Sequence, residues 1–165
     1  MIDDLKNIKI KIEKNDFEYY KNKILNQRKL RKYQIKNLEK YLEMKKIFSP
    51  QLDVRIKKIG KKNGLDIWLV DGPKIRRSLD IDFTMGGHGL RYLYIPLNEI
   101  WIDSAIDNEN DIEPVIYHEI TEFNLMKEGL RYDEAHTIAS IVESIQRENI
   151  ARKNEKNIVV TETAQ

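Results

Sequence analysis

From Phe17 to Phe48 the chain contains neither glycine nor proline, whereas residues 50–103 are punctuated repeatedly by both. Uninterrupted backbone suits helices, and frequent breakers suit short strands joined by turns. The division predicts an α+β chain with helical structure first and a sheet after it. In the first part, Phe17, Tyr20 and Ile24 sit at helical spacing, as do Ile35, Leu38 and Leu42. Their phase slips across Asn26–Lys29, which leaves one long helix or a tight helical pair. Ahead of it, Ile8-Lys9-Ile10-Lys11-Ile12 alternates as a short strand does, and Asn15 or Asp16 is a suitable helix cap. Ser49-Pro50 ends the region.

In the second part, Val54–Ile56 and Ile67–Val70 flank Lys61-Lys62-Asn63-Gly64, whose Asn-Gly pair signals a hairpin. Asp71-Gly72-Pro73 predicts a turn, and Leu79–Phe83 alternates apolar and acidic residues. Gly86-Gly87-His88-Gly89 reads as a flexible tip, followed by strands at Tyr92–Ile95 and Glu99–Asp103. Short connections imply a small, largely antiparallel sheet. Two helices follow, at about 112–128 and 132–151, with Gly129 as the C-cap between them. The expected units are a strand and helical region at 1–50, an α+β domain at 51–153, and a loose tail at 154–165.

Charge divides the chain in the same sense. The net +2 of the 165 residues is the remainder of +11 over residues 1–62 and −9 over residues 63–165. A basic region interleaved with Tyr19, Tyr20, Tyr33 and Tyr41 is compatible with nucleic-acid binding, with Lys29, Arg31 and Lys32 as its candidate contacts. It is equally compatible with a solvated helix packed on the acidic half. No apolar run reaches the roughly 20 residues needed to span a bilayer. The first residues, MIDDLKNIKIKIEKND, lack the apolar core of a secretory signal, so a cytoplasmic protein without membrane partners is expected.

Cysteine is absent. That removes disulfides, thiolate metal sites and a cysteine nucleophile, and it restricts metal ligands to His, Asp and Glu. The stretch Tyr117-His118-Glu119-Ile120-Thr121-Glu122 therefore stands out. His118 and Glu122 are four apart and project from one helical face, and His136 follows on the next predicted helix. Two imidazoles and one carboxylate are a usual ligand set for catalytic zinc, with a fourth position left for water. Glu119 falls within the apolar stripe formed by Val115, Ile116, Ile120, Phe123 and Met126, where a carboxylate is costly unless paired, protonated or metal-associated. Beside the ligands, it is placed to act as a general base on a metal-bound water. On the second helix His136 and Glu143, seven apart, lie together just outside that helix's own apolar face of Ala135, Ile138, Ala139, Val142 and Ile145, so Glu143 is a further candidate, as is His88 on the glycine-rich tip. The bland alternative is an ordinary surface His-Glu pair. Asp133-Glu134-Ala135-His136 spells a helicase box, but no phosphate-binding loop accompanies it.

The segment His118-Glu119-Ile120-Thr121-Glu122 resembles the zincin metallopeptidases, whose signature is H-E-x-x-H on a helix, and the gluzincin branch in particular. That resemblance implies a reduced zincin-like core, with His118 as first ligand and Glu119 as the base. The family has His where this chain has Glu122; His136, downstream where gluzincins place Glu, would exchange the two ligand types and keep the total. The expectation is a zinc-dependent hydrolase, a peptidase by resemblance, acting on a peptide or small molecule. An edge strand at Leu90–Ile95 or Glu99–Asp103 would hold an extended peptide. The alternatives are a nucleic-acid-binding accessory protein acting through residues 1–62, and a non-catalytic scaffold tied by a metal.

Overall fold

The structure, a computed structural model, describes residues 36, 38–45 and 53–162. The strand expected at Ile8–Ile12, its caps, most of the first helical region, and Lys29, Arg31 and Lys32 lie outside the described residues.

Helical residues 38–45 (α1) lay Leu38, Tyr41 and Leu42 against the core of an α+β domain. Strands β1 (Arg55–Lys62) and β2 (Leu65–Val70) form the expected hairpin. Asn63 and Gly64 both take positive φ, 52° and 79°, the primed-turn conformation that suits the twist of the flanking strands. Next comes a short helix, α2 (Gly72–Ser78), where a plain turn was expected. Asp71 accepts a hydrogen bond from the Lys74 amide, and Pro73 occupies the first turn, so Asp-Gly-Pro starts a helix here. Seven residues are too few for a periodic apolar pattern to announce it.

Leu79–Phe83 is not a strand. Asp80 accepts from the Asp82 amide and Ile81 points to solvent, as befits turn acids rather than one face of a sheet. The glycine-rich segment supplies β3 (Gly86–His88), fully buried. Residues 90–98 then run through turns, with Arg91 and Tyr92 amides donating to the His88 carbonyl, in place of the strand expected at Tyr92–Ile95. Leu90, Tyr94 and Ile95 are buried without any ladder. Their alternation reflects packing of a compact loop.

Strand β4 (Glu99–Asp103) completes a sheet of order β1-β2-β4-β3. It pairs antiparallel with β3 but parallel with β2, register Asp66↔Glu99 to Val70↔Asp103. The sheet is therefore mixed, not antiparallel, because α2 and the following turns carry the chain back to begin β4 beside the start of β2. β4 is an inner strand and Leu90–Ile95 is no strand, so neither is an edge of the sheet; β1 and β3 are. Glu99 and Asp103, the acids at the two ends of β4, are buried. Glu99 takes two hydrogen bonds from Arg55 and one from the Trp101 indole, and Asp103 takes Arg76.

Alternation along β2 and β4 loads both faces. Leu65, Ile67, Ile100 and Ile102 meet Val115, Ile120 and Phe123 of helix α3 (Glu109–Lys127). Val70 and Trp101 face the other way, onto Ile75 of α2 and Phe83, Tyr94 and Ile95. Asn108 caps α3, and Gly129 follows it at φ 100°, as its position predicted. The last helix, α4 (Tyr132–Glu162), packs against α3 and continues past Lys153, where a loose tail was expected. No helix among the described residues is long and apolar enough to cross a membrane.

Candidate metal centre

Three elements converge on one small pocket of about 140 Å³: the middle of α3, the first four turns of α4, and the start of β3. Helix α3 contributes His118, Glu119 and Glu122, all buried, with Glu119 only 7% exposed on the core-facing stripe where its spacing placed it. From α4 come His136, at the open side, and Glu143. His88 of β3 reaches the cluster from beneath and is completely buried.

The decisive contact set is a triangle. Glu122 Oε2 lies 2.8 Å from His136 Nδ1 and 3.3 Å from His118 Nε2, and the two imidazole nitrogens are 3.1 Å apart. With Zn–N bonds near 2.0–2.1 Å, tetrahedral ligand atoms stand about 3.3 Å from one another. The triangle is thus slightly contracted from that of three ligands sharing one ion. These residues could hold a metal ion.

Each ligand candidate has a supporting partner. His88 Nε2 lies 2.9 Å from Glu122 Oε1, while the Leu90 amide donates to His88 Nδ1 at 3.2 Å. A ring nitrogen that accepts cannot also carry the proton, so neutral His88 is protonated on Nε2 and donates to Glu122. Burial favours that neutral form by lowering the pKa of His88. His88 therefore orients Glu122. A second trio, His88, Glu119 and Glu122, also presents ligand atoms within 4.8 Å of one another, but this tautomer occupies the nitrogen it would need.

On the far side, His118 Nδ1 sits 2.9 Å from Glu143 Oε2. The oxygen lies off the line of a ring N–H, so the nitrogen has no directed hydrogen bond and the contact is chiefly an ion pair. Arg147 grips Glu143 Oε1 through Nη2 at 2.7 Å and Nε at 3.1 Å, and its Nη1 reaches Asp111 on α3. Tyr132 stacks on His136, ring centres 5.2 Å apart. Carboxylate-histidine-metal chains of this kind fix ring orientation in metal sites.

Electrostatics sorts the acids. Burial works against the charge of Glu122, yet donation from His118, His88 and His136 prevails and holds its pKa at about 2. Glu143 is likewise held at about 2 by His118, against burial and with help from Arg147. Burial also opposes a proton on His118, but the carboxylates of Glu122, Glu143 and Glu119 outweigh it and push its pKa up to about 10. Glu119 is the exception. Burial and the charge of Glu122 raise it to about 8, and it has no hydrogen-bond partner among the described residues. At neutral pH it is therefore largely a protonated acid, even with His118 beside it.

Gly86 allows this approach. A Cβ there would stand 3.0 Å from Glu119 Cγ and Oε1 and from Val115. Met85, next to it at the pocket rim, takes the left-handed φ of 56°, an uncommon conformation for a non-glycine residue.

No protein-family model, curated protein or solved structure matches this chain.

All six residues singled out around the pocket, His88, His118, Glu119, Glu122, His136 and Glu143, come together. Arg91, Tyr132 and Arg147 were not anticipated. Arg147 stands four residues after Glu143, a spacing that could have found it. Arg91 and Tyr132 carried no such signal.

Proposed function

We propose that the protein is a zinc-dependent hydrolase in which His118, Glu122 and His136 hold the ion and Glu119 serves as general base. The observation that carries this reading is the His118–Glu122–His136 triangle, its three ligand atoms 2.8–3.3 Å apart beside an unpartnered buried acid. When bound, the ion supplies Lewis-acid chemistry and lowers the pKa of a water at its open position. The ligand set favours zinc over magnesium or calcium, which prefer all-oxygen shells. Glu119 shares the pocket and has no competing partner, so its carboxylate is free to accept a proton from water and return it to a leaving group. A nearby cation restores Glu119 to the charged form that this task requires, offsetting the burial that raises its pKa. His88 and Glu143 keep the ligands oriented. Of β3 only Gly86 lines the pocket, so an extended peptide entering it would present its backbone beside Gly86 and Glu119. A peptide is the substrate this arrangement suits, in line with the zincin resemblance of His118-Glu119 and the exchanged ligand at Glu122.

The test is metal analysis of purified, zinc-replete protein together with peptide cleavage read by mass spectrometry. One equivalent of zinc, lost in a His118→Ala/His136→Ala double variant, supports the centre; no zinc removes it. Glu119→Gln should keep the zinc and lower turnover by about 10²–10⁴-fold. Zinc without turnover on any peptide would leave a structural tie between α3 and α4.

A further inference from the structure

Arg91 lines the same pocket as the three ligand candidates and is its only lysine or arginine among the described residues. It has no carboxylate partner there either. Arg55, Arg76, Arg131, Arg147 and Arg152 each pair with an Asp or Glu. Arg91 instead lies over aromatic rings, its guanidinium carbon 4.2 Å from the Tyr132 ring centre and 5.2 Å from that of Tyr92, and it also hydrogen-bonds Tyr132. A single phenol oxygen occupies at most one or two of the five guanidinium N–H donors, so the others remain for a planar anion. Tyr132 in turn stacks on His136. One ring thus ties the cation to a proposed metal ligand and sets how far apart they stand.

We infer that Arg91 is an anion subsite, and that the substrate reacting at His118, Glu122 and His136 carries a carboxylate close to its scissile bond. This inference rests on the hydrolase reading and deepens it. The lining otherwise carries three acids, Glu119, Glu122 and Glu143, and two imidazoles given to the ion, so in the zinc-loaded protein Arg91 is the one lining cation left for an anion. The pocket is small, with room for about five water volumes, which suits a short substrate end beside the bond rather than a bulky side chain. A carboxylate matches the guanidinium fork with two parallel hydrogen bonds. In a peptide it can be the terminal α-carboxylate or an Asp or Glu side chain.

The experiment measures calorimetric binding of succinate, glutarate and adipate, each against its monoamide, to zinc-loaded protein and to the Arg91→Gln and Arg91→Lys variants. At least one diacid should bind about tenfold or more tightly than its monoamide, given the strength of charge-assisted hydrogen bonds. The preference should vanish in Arg91→Gln and partly survive in Arg91→Lys. No diacid preference in the native protein, or one unchanged in Arg91→Gln, overturns the inference while leaving the zinc centre standing. Should the protein take up no zinc, the hydrolase reading fails by itself. The same comparison on the metal-free protein then still reads Arg91.

A second arm uses N-acetylated peptides of one neutral sequence: free C-terminus, C-terminal amide, and C-terminal amide with one internal Glu. Faster cleavage of the first identifies the terminal carboxylate, and faster cleavage of the third identifies the side chain. If Arg91→Gln slows all three equally, Arg91 acts on the reacting carbonyl and the subsite is refuted.

Discussion

Replacing His88 separates an orienting residue from a ligand. Its Nε2–H bond to Glu122 Oε1 is 2.9 Å long and lies at a fully buried position. A buried hydrogen bond to a charged group is worth about 1.5–3 kcal/mol. Loss of such supporting partners lowers metal affinity by about 10–100-fold, equivalent to about 1.4–2.8 kcal/mol, so the two routes to the magnitude agree. His88→Ala should therefore raise the zinc Kd by about 10–100-fold, measured by competition with a chromogenic chelator, while stoichiometry stays at one. Alanine also opens a cavity against Phe123, whose ring centre is 5.6 Å from that of His88, and this lowers stability further. His88→Gln supplies an amide N–H at a similar reach and should recover most of the affinity. If a folded His88→Ala protein binds no zinc, His88 is a ligand and the tautomer deduced from the Leu90 amide is mistaken. An unchanged Kd would mean that Glu122 is oriented by something else.

Three other outcomes follow from the same geometry. Zinc affinity should rise with pH between about 6 and 8, by up to about tenfold per unit, in isothermal titrations at matched ionic strength. His118 is raised to about 10 and must give up its proton to bind, whereas Glu122, held at about 2, is already ionised and adds no slope. A flat profile would refute the shift at His118. Gly86→Ala should cost about 1–3 kcal/mol in urea unfolding, since Glu119 and Val115 must both yield to the added Cβ, and it should slow turnover by displacing Glu119. Gly72→Ala is harsher, because its Cβ would clash with the Asp103 carboxylate, where Arg76 and the Ala105 amide already bind. Destabilisation of about 3 kcal/mol or more in the same assay is expected, with zinc stoichiometry intact in the folded fraction.

The sequence was most legible where local rules govern. The Asn63-Gly64 hairpin, the Gly129 stop and the two helices at the C-terminal end all followed from turn chemistry and periodicity. Glu119 on an apolar stripe was legible for the same reason, since helix geometry alone sets which residues share a face. It was least legible from 71 to 98. There α2 is too short to show a period, β3 is three residues of Gly-Gly-His, and apolar residues alternate through turns.

By itself, then, the sequence determined which side chains α3 offers to one face, and it barred any thiolate ligand by containing no cysteine. Only the tertiary structure decided that β4 lies parallel to β2 and that β3 forms the edge beside Glu119. It also decided that His88 serves Glu122 and that Arg91 stands over Tyr132. Local spacing specifies direction within one element. Distances between elements depend on how both faces of the sheet are filled, and that packing is a property of the whole chain.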